Sequence, residues 1–172
     1  MKLNLGCADW YTPGWVNVDH EAPFHVDEVV DLRGELPWAH GSVTHVFAGH
    51  LLEHMPVAEG EALLRRLLPC MVPGGEIVVV GPDVVRAQAM AEAGTLDVTM
   101  ESLHHGAHRW PGDEHHWDAT PGETERMLRD AGWAGVYEIP WTDVPEFWPI
   151  ADRRPVWQFA VYARRAVDAA LT

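Results

Sequence analysis

Leu3-Asn4-Leu5-Gly6-Cys7-Ala8 and, a few residues on, Val16-Asn17-Val18-Asp19 read as two short strands, each stopped by a residue of special use. The first stops at Gly6 and the second, alternating from Trp15, stops at Asp19. A strand that ends in small residues brings backbone N–H groups close to a ligand, because a bulky Cβ would block the approach. An acidic side chain at the tip of the next strand can accept both hydroxyls of a ribose. Taken alone, the same residues fit a plain turn with a solvated Asp equally well.

Working outward, Val26 to Leu32 is apolar and β-branched around Asp31 and is predicted as a third strand, with Val43 to Ala48 as a fourth. Gly49-His50-Leu51-Leu52-Glu53-His54 then opens a helical pattern, and after Pro56 the run 58–68 places Ala62, Leu63, Leu67 and Leu68 near helical spacing. Pro73-Gly74-Gly75 reads as a turn. Ile77-Val78-Val79-Val80 is a continuous apolar run, as in a strand buried on both faces. Val84 to Ala93 is predicted as a helix ended by Gly94, and residues 96–120 as a long loop. Thr120-Pro121-Gly122-Glu123 starts a helix with Thr as cap and Pro in the first helical position; it runs to Ala131 and Gly132 caps it. Trp133 to Ile139 is the sixth strand. Val156 to Ala163 is the seventh, with Val156, Gln158 and Ala160 alternating against Trp157, Phe159 and Val161. Strands alternating with helices around a buried fifth strand indicate an α/β sandwich on a mostly parallel sheet.

Composition narrows the function. With 26 acidic against 12 basic residues the formal charge is −14, which disfavours nucleic acid and an anionic membrane as partners because both would repel the chain. Two cysteines, Cys7 and Cys70, allow at most one bridge, so reduced thiols are the expectation. Met1 to Gly6 lacks the apolar run of a signal peptide, and no stretch approaches the ~18 apolar residues of a membrane span. A cytoplasmic protein is expected. The unusual terms are nine Trp and eleven His, five of the latter between His104 and His116.

His50-Leu51-Leu52-Glu53-His54 matches the H-x-x-E-H pattern of one zinc-peptidase group, and His at i and i+4 share a helix face. A strand leading straight into the motif and the lack of an identifiable downstream carboxylate ligand argue against that use. The alternative is structural, with Glu53 at the positive end of a helix and His54 packed. The segment His104-His105-Gly106-Ala107-His108-Arg109-Trp110, then Asp113-Glu114-His115-His116-Trp117-Asp118, has three readings. It is a substrate lid carrying a general base, a metal site of His plus carboxylates, or a solvated loop anchored by two Trp. Trp157 is expected in the core and Trp133 as an anchor; Trp110, Trp117, Trp141 and Trp148 are either pocket walls or loop anchors.

The series Leu3 to Cys7, Pro13 to Asp19, Asp31-Leu32, Leu36-Pro37-Trp38, Gly41-Ser42-Val43, His50 to His54 and Pro73-Gly74-Gly75 resembles the small class I S-adenosylmethionine-dependent methyltransferases. The likeness is close over residues 2–83 and looser through Met127 to Trp133. It implies a Rossmann-like three-layer sandwich with a mostly parallel seven-stranded sheet, the last strand antiparallel. It implies S-adenosyl-L-methionine as cofactor and methyl transfer to an oxygen or nitrogen of a small-molecule or sugar-like acceptor. Residues 1–165 would form one domain, with 96–120 and 140–155 as substrate-side loops and 166–172 as a tail. Gly6, Cys7 and Ala8 would line the methionine part, Asp19 would hold the ribose, Asp31 and Leu32 would flank the adenine, and His50 after Gly49 would sit by the sulfonium, with Leu5 and His20 also among the cofactor-binding residues. A base for a hydroxyl acceptor would come from His108, His115 or His116. No residue is assigned as a metal ligand, and a homodimer is left open.

Two departures stand out. Ala8 occupies a position usually held by a second glycine, and only Cys7 to Gly14 join the first two strands, whereas a parallel crossover normally takes about a dozen or more residues. The first strand also starts at the beginning of the chain, so closure over the site is expected from other segments. These departures motivate one alternative, a degenerate S-adenosylmethionine-binding domain that acts as a partner or regulator. The His clusters motivate another, a metal-dependent hydrolase, and an oligomeric assembly module is a third.

Overall fold

The computed structural model describes residues 1–20, 25–109, 112–140, 143–145, 148–149 and 156–167. Seven strands form one sheet: β1 (Lys2–Leu5), β2 (Val16–Asp19), β3 (Glu28–Val29), β4 (Val43–Gly49), β5 (Met71–Pro82), β6 (Ala134–Ile139) and β7 (Gln158–Arg164). Their order is β3-β2-β1-β4-β5-β7-β6. The first five strands run parallel, and β7 is antiparallel to both β5 and β6. The helices are α1 (Val57–Cys70), α2 (Val84–Glu92), α3 (Met100–His105) and α4 (Pro121–Asp130).

Strand periodicity sorts the core into two layers. Leu3, Leu5, Val46, Ala48, Ile77, Val79, Phe159 and Val161 face the main cluster, where α1 contributes Leu63, Leu64 and Leu67 and α4 contributes Met127 and Leu128. Trp133 Nε1 donates to Leu64 O at 3.1 Å and ties the start of β6 to α1. The residues between, Phe47, Val78, Val80 and Ala160, face a second cluster closed by Trp15, Val144 and Trp148.

On that second face β1 and β2 present Asn4 and Asn17, direct neighbours in register and both buried. No helix lies between the two strands. The amides substitute for it. Asn4 Nδ2 donates to Asn17 Oδ1 at 2.9 Å and to Trp10 O at 3.0 Å. Asn17 Oδ1 accepts from Thr12 N at 2.8 Å, and its Nδ2 donates to Trp15 O and to Asp27 Oδ2. Buried backbone groups need partners, and here side-chain amides supply them in place of a helix's own ladder.

Four local expectations are corrected. The third strand pairs only over Glu28–Val29, because it is the sheet edge and Asp31 turns the chain by accepting from Arg33 N. Pro73-Gly74-Gly75 lies inside β5 as an irregularity between the pairs Val43–Met71 and His45–Glu76, held by Gly74 N to Arg165 O and Arg165 N to Gly75 O. The segment 96–120 contains α3, capped by Thr99 Oγ1, which accepts from Ser102 N. Gln158 to Val161 are all buried, because β7 lies between β5 and β6 and is covered on both faces; Val156 precedes the strand and is exposed. No helix among the described residues is long and apolar enough to cross a membrane.

Candidate cofactor and acceptor site

A cavity opens at the carboxyl ends of β1, β2 and β4. On its floor the chain leaves β1 through Gly6 at φ +64° and reaches Ala8 at φ +42°. A Cβ at Gly6 would stand 2.9 Å from Leu51 Cδ1, so the left-handed turn and the close approach of Leu51 both require glycine. Asp19 is buried at the tip of β2. Its Oδ2 accepts from Ala8 N at 2.9 Å, and Oδ1 accepts from His20 N at 2.7 Å with the His20 ring at 3.0 Å. The carboxylate thus locks the β1 turn against the β2 tip. Burial, followed by the charge of Asp19, pushes the Cys7 thiol up to about 12. Val30 and Leu32 supply apolar wall beside Asp31 and Arg33.

The opposite end is built around His50, which follows Gly49 at φ +50°. His50 Nδ1 lies 3.1 Å from Glu53 Oε1, and Nε2 lies 3.1 Å from Gln158 Oε1. Burial alone would push the imidazole down. The hydrogen bond and charge of Glu53, with Gln158, outweigh it and raise His50. Burial would likewise raise the Glu53 carboxyl, and the bond to His50 brings it below the usual range. The hydrogen-bonded pair sits beside the rings of Trp10 and Trp157, both edge-on to His50 at 6.2 and 5.9 Å.

The second histidine of that motif sits differently. Residues 52–54 form one 3-10 turn and not an α-helix, so His50 and His54 do not present a shared face; Glu53 is buried against His50 and does not serve as a helix-end charge. His54 opens on the cavity, and burial lowers its imidazole. Its ring is edge-on to His115 at 4.7 Å. The segment carrying His115 is clamped to the turn: His116 N donates to Glu53 O at 2.8 Å, and Trp117 Nε1 is shared between Leu52 O and Met55 O. Gly106, at φ +80°, lets the same loop cross itself, since a Cβ there would meet Asp113 O at 1.8 Å. Buried Asp113 accepts from Arg109 N, Nε and Nη2, and both residues line the cavity. Burial would raise Asp113, but its hydrogen bonds to Arg109 hold it below the usual range.

Among the expected cofactor residues, Gly6, Cys7, Ala8, Asp19, His20, Asp31, Leu32 and His50 all line this one cavity; Leu5 is buried beneath it. Of the three histidines expected as base, none lines the cavity: His108 and His116 are exposed, and His115 is half-buried against His54. Of Trp10 and Tyr11, both expected beside the cofactor, Trp10 lines the cavity and Tyr11 does not, and no sequence signal pointed to His54, Met55, Arg109 and Asp113 as lining residues. Trp117 is an anchor and Trp148 is buried on the second sheet face, so neither is a pocket wall; Trp110 and Trp141 lie outside the described residues.

No family model and no curated relative matches the chain. Solved structures do. A SAM-dependent methyltransferase of Methanosarcina mazei superposes with a TM-score of 0.61 at 12% identity, over 96% of this chain and 92% of its own. One from Mesorhizobium loti gives 0.57 at 21% identity, over 95% and 89%. Human N-acetylserotonin methyltransferase, in complex with SAM, gives 0.50 at 15% identity over 81% of this chain and 33% of its own, so this chain spans about a third of it. The fold is that of the class I S-adenosylmethionine-dependent methyltransferases. In this methyltransferase fold the strand order reverses between β1 and β4, and the crevice at that switch point is where open α/β sheets take ligands. The methyltransferase sheet is complete, but its first crossover is a loop held by Asn4 and Asn17.

Proposed function

We propose that the protein binds S-adenosylmethionine in this cavity and transfers its methyl group to an oxygen or nitrogen of a small-molecule or sugar-like acceptor. The observation that carries the reading is that a positive-φ turn after β1 and a buried carboxylate at the tip of β2 meet at the switch-point crevice. The residues present fit the group: a turn on which a Cβ at Gly6 would collide, a buried carboxylate on the cavity wall, and an apolar wall at Val30 and Leu32. Bound there, the cofactor would supply an electrophilic methyl on a sulfonium.

In this reading Gly6, Cys7 and Ala8 line the methionine part, Asp19 and His20 take the ribose, and Asp31 and Leu32 flank the adenine. His50 stands where β4 ends. Its ring, fixed by Glu53 and Gln158, serves to orient the reacting groups. Holding the two reacting groups at near-attack distance supplies much of the acceleration. A base for a hydroxyl acceptor is sought among His108, His115 and His116 of the loop whose Arg109 and Asp113 line the cavity; none of the three lines it itself, so the proton would reach them through water or after the loop shifts. The formal charge of −14 favours neutral or cationic acceptors over polyanions. Calorimetric titration with S-adenosylmethionine tests the reading: saturable binding is expected, and Asp19→Ala should weaken it by about 1–3 kcal/mol, the scale of lost charge-assisted hydrogen bonds. Asp19→Asn, which keeps the shape, should weaken it in the same direction. Unchanged affinity in both variants contradicts the assignment.

A further inference from the structure

We propose that Glu53, His54 and His115 form a binding site for a divalent transition-metal ion. One ligand atom of each lies within 4.8 Å of the other two. Ligands about 2.0–2.2 Å from an ion are about 3–3.5 Å apart, so small side-chain adjustments close the set. Neither histidine motif supplies these residues alone. His50, the partner that spacing suggests for His54, has both ring nitrogens committed to Glu53 and Gln158. The site combines the end of one motif with the middle of the other.

The imidazoles are turned for the task. His115 Nδ1 lies 2.7 Å from Leu103 O, and His54 Nδ1 lies 3.2 Å from Glu114 O. A carbonyl only accepts, so each Nδ1 carries the hydrogen and each Nε2 keeps a lone pair. Metal-bound histidines are held in this way, with the second ring nitrogen donating to a backbone carbonyl or carboxylate. The Glu53 carboxylate is likewise held from behind by His50. The backbone that brings the residues together does not depend on an ion, because His116 N to Glu53 O and the Trp117 indole clamp the two segments. Two imidazoles and one carboxylate favour a first-row transition ion over magnesium or calcium, which take oxygen ligands.

Three protein ligands leave coordination positions open, and His54 lines the cavity, so an oxygen-bearing ligand there would meet the ion. The ion site stands apart from the methyl-transfer reading.

Calorimetry on chelator-stripped full-length protein should show one equivalent of Zn²⁺ bound. His54→Ala and His115→Ala should each weaken it at least about tenfold. His104→Ala, which removes a His–carboxylate pair with Asp118 outside the cluster, should leave it unchanged. Wild-type protein titrated with Co²⁺ should develop visible absorption bands that Zn²⁺ abolishes, a readout that requires no variant to fold. Absence of both stoichiometric Zn²⁺ binding and Co²⁺ bands overturns the proposal, as does Zn²⁺ binding that survives both substitutions in variants melting like wild type. S-adenosylmethionine titrated into the same metal-free protein separates the two ideas: its binding without Zn²⁺ binding removes the ion site alone, and the converse removes the methyl-transfer reading alone.

Discussion

At one end of the cavity Gly6, Ala8, Asp19 and Leu32 come from strand tips that are neighbours in both sequence and sheet. At the other, His54 on the turn after β4 meets His115, and Arg109 with Asp113 closes the rim, these three carried by a loop from the far half of the chain. The first end is rigid because each strand tip is pinned by its neighbour, as Asp19 pins Ala8. The second depends on a few long-range clamps: one backbone bond, one indole and one self-crossing at Gly106. Changes at the first end should therefore act on cofactor affinity and global stability, and changes at the second on the rim alone.

The sharpest contrast should appear in Cys7. Its thiol is raised to about 12 by burial and by Asp19, so its thiolate fraction at pH 8 falls about a thousandfold below that of an ordinary cysteine with a pKa near 9. Iodoacetamide should label Cys7 in denaturant and leave it unmodified in the folded protein, read by mass spectrometry. Because the folded value lies above the unfolded one, this group's contribution to stability is present below pH 9 and is lost as pH rises toward 12. Rapid native labelling at pH 8 would show the first end to be open.

Asn17→Leu should cost about 3 kcal/mol or more in urea unfolding, because it strands Thr12, Trp15 and Asp27 groups that the amide satisfies. Cofactor affinity should fall with it. Gly106→Ala should cost less, about 2 kcal/mol, by forcing apart the crossing at Asp113 in a left-handed conformation. Cofactor affinity should stay near wild type while the rim loosens, read as faster amide exchange over residues 112–117. Ala8→Gly should have the smallest effect, a gain of about 0.5–1 kcal/mol in thermal or urea unfolding, since Ala8 sits at φ +42° where glycine carries no strain. Loss of stability in Ala8→Gly would mean that the methyl group is needed for packing.

The same contrast explains what the sequence could show. The cradle was legible because strand ends, glycine and an acidic tip are local patterns, and strand neighbours in sequence become neighbours in the sheet. The Asn4–Asn17 pair was visible as an alternation of leucine or valine with asparagine, and its meaning came only from the register that places the two side by side. His54 and His115 were each visible as histidines, but nothing local says that Trp117 will seat one against the other. The helical reading of His50 to His54 failed for a physical reason: the chain makes a single 3-10 turn there, and Glu53 turns inward to His50. The third strand was read too long because β-branched residues do not reveal that a strand is an edge.

The central claim, that the switch-point cavity is the cofactor site, is tested most directly by ¹H–¹⁵N spectra of the labelled protein titrated with S-adenosylmethionine. The amides of Ala8, Asp19, His20 and Leu32 should shift together along one saturable curve, with Val144 and Trp148 on the second sheet face unmoved. Shifts confined to residues away from the cavity, or none at millimolar ligand, would contradict it.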